Sequence, residues 1–239
     1  MKDQRKKLVV FCNGRSGSHL LGSYLNQHPE LHFDFEKFGN VVKDQYTNNL
    51  PYYFSKYFPA LYLKWRMVKA GKSGYGLSFH LYMYEHTRFR IRDFHDHGFK
   101  IIRLNRDNAL EQMLSHKVAF ASKNWHRTKL SSVDEGSAKI SLDITKALVS
   151  LKHFQKMHEQ LDDELAPFPH LRLSYGRDLE SADCHQETMN RVFNYLGLDP
   201  IALEASQFSK VYKKPYSDLV DNYDEFIQEA KMEGLLQEV

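Results

Sequence analysis

Residues 8–21 read Leu8-Val9-Val10-Phe11-Cys12-Asn13-Gly14-Arg15-Ser16-Gly17-Ser18-His19-Leu20-Leu21. The first five form an unbroken apolar run rich in β-formers and closed by Asn13-Gly14, the pattern of a strand buried on both faces. Leu20, Leu21, Tyr24 and Leu25 then recur at helical spacing. Gln27-His28-Pro29 ends that helix, because the residue before a proline avoids the helical region. Strand, glycine-serine loop and helix in this order open a βαβ unit.

The rest of the chain continues the alternation. Phe99 to Leu104 is a second strand, and Asp107 or Asn108 caps a helix carrying Leu110, Met113, Leu114, Val118 and Ala121 on one face. Ile144, Leu148, Leu151, Phe154, His158 and Leu161 predict a long amphipathic helix, and Leu171 to Tyr175 a third strand. Met189, Val192, Phe193 and Leu196 mark another helix with Gly197 as its C-cap, and Leu219 to Ala230 the last one. Residues 122–141, poor in aliphatics, read as a mobile surface loop. The class is α/β, a parallel sheet flanked by helices. Ligands bind such sheets at the carboxyl ends of the strands, so loops 13–19 and 105–108 share one crevice if their strands are neighbours.

Composition limits the alternatives. A chain of 239 residues with 42% hydrophobic and 26% charged residues is expected to form one domain, 1–239. The formal net charge of +3 is too mild to imply nucleic acid. Leu8 to Cys12 is the longest strongly apolar run, so no membrane span is expected. The N-terminus, Met1 to Lys7, is basic, but the apolar run after it is too short for the core of a secretory signal. Cys12 and Cys184 are the only cysteines, which excludes a disulfide framework and a four-cysteine zinc site and fits a reducing, cytoplasmic setting.

The loop carries the chemistry. Gly14 and Gly17 let the backbone turn tightly and aim several N–H groups inward, and the following helix adds its dipole, so the loop suits an anion. Arg15 adds a planar fork and Ser16 and Ser18 add hydroxyls. The loop lacks the Gly-Lys-Ser/Thr of a Walker A motif, and Ser18 stands where a nucleophile elbow needs Gly. A glycine turn that only joins strand to helix is the other reading of the loop taken alone.

Taken in order, these motifs resemble those of sulfotransferases that use 3′-phosphoadenosine-5′-phosphosulfate (PAPS). Val10 to Leu21 resembles the family's 5′-phosphosulfate loop, with Gly14 in place of its usual Pro and His19 in place of its second Thr. Ile101 to Asn108, followed by Gln112 and Ser115, resembles the 3′-phosphate signature, in a form most like bacterial nodulation-type and trehalose-type carbohydrate sulfotransferases. Gly76-Leu77-Ser78-Phe79-His80 is similar to their G-x-K-x-H stretch, with Ser78 for Lys, and Ala121 to His126 to their A-x-x-x-W-H segment. Tyr175 to Leu179 and Tyr195 to Leu198 resemble the Y-E-D-L and F-L-G-L elements, and Lys213 to Tyr223 the segment before the final helix. Residues 40–70 have no counterpart there and stand as an aromatic-rich insertion.

The resemblance implies a P-loop-like sulfotransferase fold and an enzyme that moves the sulfuryl group of PAPS to a hydroxyl of a small-molecule or glycan acceptor, a carbohydrate or glycolipid, with no metal. It implies that Asn13, Gly14, Arg15, Ser16, Gly17, Ser18 and His19 hold the phosphosulfate, Arg15 also meeting the charge on the leaving phosphate, and that Arg106 and Ser115 grip the 3′-phosphate. Trp125 is expected to cover the adenine or gate the site from its loop, or only to pack; Lys213 and Lys214 reach the 3′-phosphate, or stay solvated. Glu36 stands where the family places its general base, among aromatics that would raise its pKa, with Asp34 and His32 in reserve. His80 contacts the acceptor, orders the site, or is a core histidine. Residues 50–66, with Tyr52, Tyr53, Phe54, Tyr57, Phe58, Tyr62 and Trp65, form an acceptor wall or lid, a homodimer contact, or a helix packed on the core. His95-Asp96-His97 reads as a turn before a strand rather than a metal site. Two other functions stay open: a P-loop-type small-molecule kinase, and a catalytically inactive nucleotide-binding protein of the same fold, kept in view by His19 and Ser78.

Overall fold

The computed structural model describes residues 5–36, 38, 50–85, 87–122, 139–206, 208 and 214–236, with the side chains at 50–52 and 85 excepted. Among them, β1 (Lys6–Cys12), β2 (Leu31–Asp34), β3 (Gly74–His80), β4 (Lys100–Asn105) and β5 (His170–Ser174) form one sheet in the order β2-β3-β1-β4-β5. Every neighbouring pair is parallel, with Cys12 level with His80 on one side and with Leu104 on the other. The helices in chain order are α1 (Ser18–Leu25), α2 (Leu50–Tyr57), α3 (Pro59–Ala70), α4 (Ile91–Asp96), α5 (Ala109–Ser122), α6 (Ile144–Leu165), α7 (His185–Leu196), α8 (Tyr216–Leu219) and α9 (Tyr223–Met232).

The central place of β1 follows from its side chains, all apolar and fully buried from Leu8 to Cys12. Val9 and Phe11 join Leu77, Phe79 and Ile101 under α3, α4 and the end of α6. Leu8, Val10 and Cys12 join Ile102, Leu104 and Leu173 under α1 and α7. A third apolar cluster ties α5, α6 and α9 together through Met113, Leu151, Phe154 and Phe226. The chain leaves β1 towards β2 and leaves β4 towards β5, so the two loops part at the carboxyl edge and a crevice opens between them.

The structure adds β2, and the stretch that carries His80 is the strand β3, which ends at that histidine. Glycines hid β3 from its pattern: a Cβ on Gly76 would stand 2.8 Å from the Phe33 ring, so a side chain there would push β2 aside. The last helix is broken where periodicity ran through it. Val220 bridges to Ile140, and the Asn222 side chain pairs with both the N–H and the C=O of Leu142, at 2.9 Å each. Those contacts stop α8 at Leu219 and restart the helix at Tyr223. Of the predicted loop 122–141, residues 123–138 lie outside the described residues; Ser122 ends α5 and Ile140 is paired. Of the aromatic stretch, 39–49 lies outside them, and 50–70 is two helices joined at Phe58, the second of which turns Tyr62, Leu63 and Met67 into the core. His95 and Asp96 end α4, and His97 follows as the turn.

Candidate active site

The loop after β1 is shaped by its own hydroxyl and by α5. Ser16 Oγ donates to the Asn13 carbonyl at 2.7 Å, closing the turn. Gly17 has φ 88° and sits against Tyr175, whose ring a Cβ there would approach to 2.6 Å, so both conformation and space demand glycine. From α5, Gln112 Nε2 donates to the Gly14 carbonyl at 2.6 Å and to Ser16 Oγ at 3.1 Å, while Ser115 Oγ accepts from Arg15 Nε at 3.0 Å. His158 of α6 donates through Nε2 to Gln112 Oε1 at 2.5 Å, which fixes the amide's orientation. Burial, aided by Arg103, lowers the His158 pKa to about 4, so this donor is a neutral imidazole at neutral pH.

Arg106 follows β4 and points back across the crevice. Its Nη1 reaches the Arg15 carbonyl at 3.5 Å, its Nη2 pairs with Glu111 at 3.0 Å, and the guanidinium lies 4.9 Å from the Tyr175 ring centre. Arg106 Nε and both polar side-chain atoms of Asn13 are buried without a hydrogen-bond partner. Such groups are costly unless a ligand completes them, and here they line the loop that the sequence marks for an anion. Arg106 and Asn13 therefore fit a phosphorylated ligand.

The other side of the crevice gathers around Glu36. Its backbone N–H donates to Ser78 Oγ at 2.9 Å, its Oε1 lies 3.3 Å from His80 Nε2, and its Oε2 accepts from Tyr82 OH at 3.4 Å. His80 Nε2 is also 3.7 Å from Cys12 Sγ, which joins this group to the residue preceding the loop. Burial disfavours a charge on His80, but the Cys12 sulfur and the Glu36 carboxylate outweigh it and raise the pKa to about 10. Burial and Glu36 raise the Tyr82 pKa, so it remains a neutral donor. His80 is wholly enclosed, whereas the Glu36 side chain is 23% exposed. Of this pair, Glu36 is the one an incoming molecule can touch, and His80 orients it.

Arg15 (φ 67°) and Glu36 (φ 37°) are the two non-glycine residues with a left-handed backbone among the described residues. Each such residue costs about 1 kcal/mol or more and persists where its surroundings hold it. Here Ser115 and Gln112 hold the loop around one, and Ser78 and His80 hold the other.

The reserve carboxylate, Asp34, has a different task. Arg66 grips it through Nε at 2.9 Å and Nη2 at 2.6 and 2.7 Å, Tyr75 OH donates at 2.7 Å, and His32 Nε2 lies at 3.2 Å. Burial opposes its charge, and Arg66 with Tyr75 overcomes that and keeps its pKa below the usual value. This buried cluster fastens α3 to the sheet edge two residues before Glu36.

Two clefts adjoin these groups. One, of about 390 Å³, is lined by Leu20, Tyr24, Tyr175, His185, Ser206 and Phe208, among others, and so meets the loop at Tyr175. The other, of about 370 Å³, is lined by Asn108, Glu111, Lys214, Tyr216 and Tyr223, among others, and borders the start of α5. Lys214 thus faces the side of α5 that carries the Arg106 partner Glu111. His19 stacks on Phe35 at 4.9 Å and meets Phe208 edge-on at 5.9 Å. Ser18 is buried at the start of α1. Trp125 and Lys213 lie outside the described residues. Sequence reasoning assigned no role to Tyr175, Phe208, Gln112 or His158. Tyr175 and Gln112 were visible inside motifs, while Phe208 and His158 carry no local signal.

A solved structure matches this architecture: a sulfotransferase from Alicyclobacillus acidocaldarius aligns over 96% of this chain and 95% of its own, with TM-score 0.51 and 14% identity. The two chains share a fold. No family model matches the sequence, and no curated protein matches it. At this identity the likeness establishes the sulfotransferase fold, and the residues of the crevice must carry any reading of its chemistry.

Proposed function

We propose that the protein transfers a sulfuryl group from PAPS to a hydroxyl of a carbohydrate or glycolipid acceptor. The observation that carries this reading is the pairing of an anion loop braced by α5 with a held, accessible carboxylate, both in left-handed backbone and joined through Cys12 and His80. The loop from Asn13 to His19 would hold the 5′-phosphosulfate, and Arg106 with Ser115 the 3′-phosphate. The Tyr175 and Phe208 cleft supplies aromatic faces for a base.

In the reaction the acceptor oxygen attacks sulfur as the bond from sulfur to the phosphate oxygen breaks. The transition state is expected to be loose and in line, as in phosphoryl transfer, so positioning and fixed positive charge do most of the work. Arg15 and the loop N–H groups meet the charge that grows on the departing phosphate. Glu36 takes the acceptor's proton, with its carboxylate aimed by His80 and Tyr82. The products are a sulfate ester and 3′-phosphoadenosine-5′-phosphate (PAP). Ser78, which stands where the resembling enzymes have Lys, positions Glu36 by accepting its N–H.

Radiolabelled PAPS incubated with a panel of sugars and glycolipids tests the reading. Label should pass to an acceptor hydroxyl, and Arg15→Ala should lower that rate by about 10²–10³. Label transfer unaffected by Arg15→Ala, or binding of PAPS without transfer to any acceptor, would contradict it.

A further inference from the structure

Helix α3 presents two faces. Tyr62, Leu63 and Met67 point into the core, and Arg66 reaches Asp34. On the opposite side Phe58 is 59% exposed, Leu61 55%, Trp65 43% and Val68 61%. Their spacing of three and four residues places them in one stripe along the helix. On α2, Tyr53 and Tyr57 are also exposed and stack on each other at 6.3 Å. Contiguous exposed apolar area of this kind marks an interaction surface.

The charges around the stripe say what it meets. Residues 50–73 contain no Asp or Glu, and they carry Lys56, Lys64, Arg66, Lys69 and Lys72. Lys64 and Lys69 are exposed and flank the stripe on its two sides, given the helical turn per residue. The Lys69 ammonium lies 5.3 Å from the Trp65 ring centre, and Arg66 borders the same ring. Two copies of this face would press lysine against lysine, which argues against a homodimer here. An apolar stripe with Trp and Phe, rimmed by bases and lacking acids, matches a helix that lies in a bilayer interface. No helix among the described residues is long and apolar enough to cross a membrane.

We propose that the outer face of α3, with the end of α2, docks the protein on an anionic lipid bilayer, the stripe entering the headgroup boundary and the lysines meeting lipid phosphates. The docking is independent of the transfer chemistry.

Sedimentation of the full chain with vesicles tests it, using phosphatidylcholine alone and phosphatidylcholine with phosphatidylglycerol. Binding should be confined to the anionic vesicles and fall with added salt. Trp65 emission should shift to the blue on binding, a change absent from Trp65→Phe. Leu61→Ser with Val68→Ser should weaken binding about tenfold or more, and Lys64→Glu with Lys69→Glu about tenfold or more. All four positions are exposed, so both variants should keep the wild-type melting temperature. Absence of binding to anionic vesicles would overturn the proposal. So would equal binding to both kinds of vesicle, or self-association in solution abolished by the Leu61 and Val68 substitutions.

Discussion

The two sides of the crevice are held by different forces. On the loop side, Asn13–Gly17 is braced by hydrogen bonds donated by Gln112 and Arg106 and one that Ser115 accepts from Arg15, and behind them by His158. On the Glu36 side, the backbone hangs between Ser78 and a buried ion pair, Asp34 with Arg66. Removing one of several hydrogen bonds costs about 1 kcal/mol each, whereas removing one partner of a buried ion pair strands a charge and costs ~3–5 kcal/mol. The loop should thus tolerate single changes in structure and register them in ligand affinity. The Glu36 side should register changes near Asp34 in the fold itself.

The sharpest break of that contrast is Asp34→Asn. It leaves the partly buried Arg66 without its carboxylate and should cost ~2–4 kcal/mol, read as a fall of about 10 °C in melting temperature. A melting temperature within a degree or two of wild type would mean that Asp34 is not the anchor of this side. Next comes Glu36→Gln, nearly isosteric, which should lower turnover by about 10²–10³ while leaving PAP affinity and melting temperature unchanged. Unaltered turnover would remove Glu36 as the base. On the loop side, Arg106→Ala should weaken PAP about 10–30-fold and leave a nucleotide lacking the 3′-phosphate nearly unaffected. Equal losses for both ligands would place Arg106 elsewhere on the nucleotide.

The smallest effect concerns the brace behind the loop. The folded pKa of His158, about 4, lies below its ordinary 6.5, so the unfolded chain binds more protons between those values. His158 therefore lowers stability as pH falls through that window, by at most ~3 kcal/mol, less where solvent screens it. Asp34, whose folded pKa is also depressed, adds a loss only at lower pH, as its carboxylate takes up a proton. In His158→Gln the melting temperature should change less between pH 7 and pH 5 than in wild type, and PAP affinity should fall a few-fold because Gln112 loses its fixed donor. An unchanged pH slope would show that His158 is charged or solvated in the folded protein.

The same contrast explains what could be read from the sequence. The loop side occupies two contiguous segments, 8–21 and 101–115, each a strand feeding a loop and a helix, so periodicity and turn residues exposed it. That β1 and β4 are neighbours, on which a shared crevice depended, is what the pairing shows. The Glu36 side is assembled from the ends of β2, β3 and β1, and β3 was blurred by Gly74 and Gly76, where Leu31 and Phe33 crowd the backbone. Glu36 could be named by resemblance, but its contacts with Ser78, His80 and Tyr82 could not be read from local pattern. Nor could the division of labour between Glu36 and Asp34, which are two residues apart and alike in charge. What distinguishes the two in the structure is Arg66, 32 residues away in the chain, which pairs with Asp34. The aromatic stretch was readable as a helix packed on the core, among other readings, but it has more apolar positions than one buried face takes, and the surplus lies on the outside of α3.

If the crevice binds a nucleotide through its 3′-phosphate, calorimetric titration with PAP, against ADP and Mg-ATP, will register it. Micromolar binding of PAP, lost when the 3′-phosphate is absent, is the expected result. Preference for Mg-ATP would point instead to a kinase, and failure to bind any of the three would contradict the assignment of the Asn13–His19 loop.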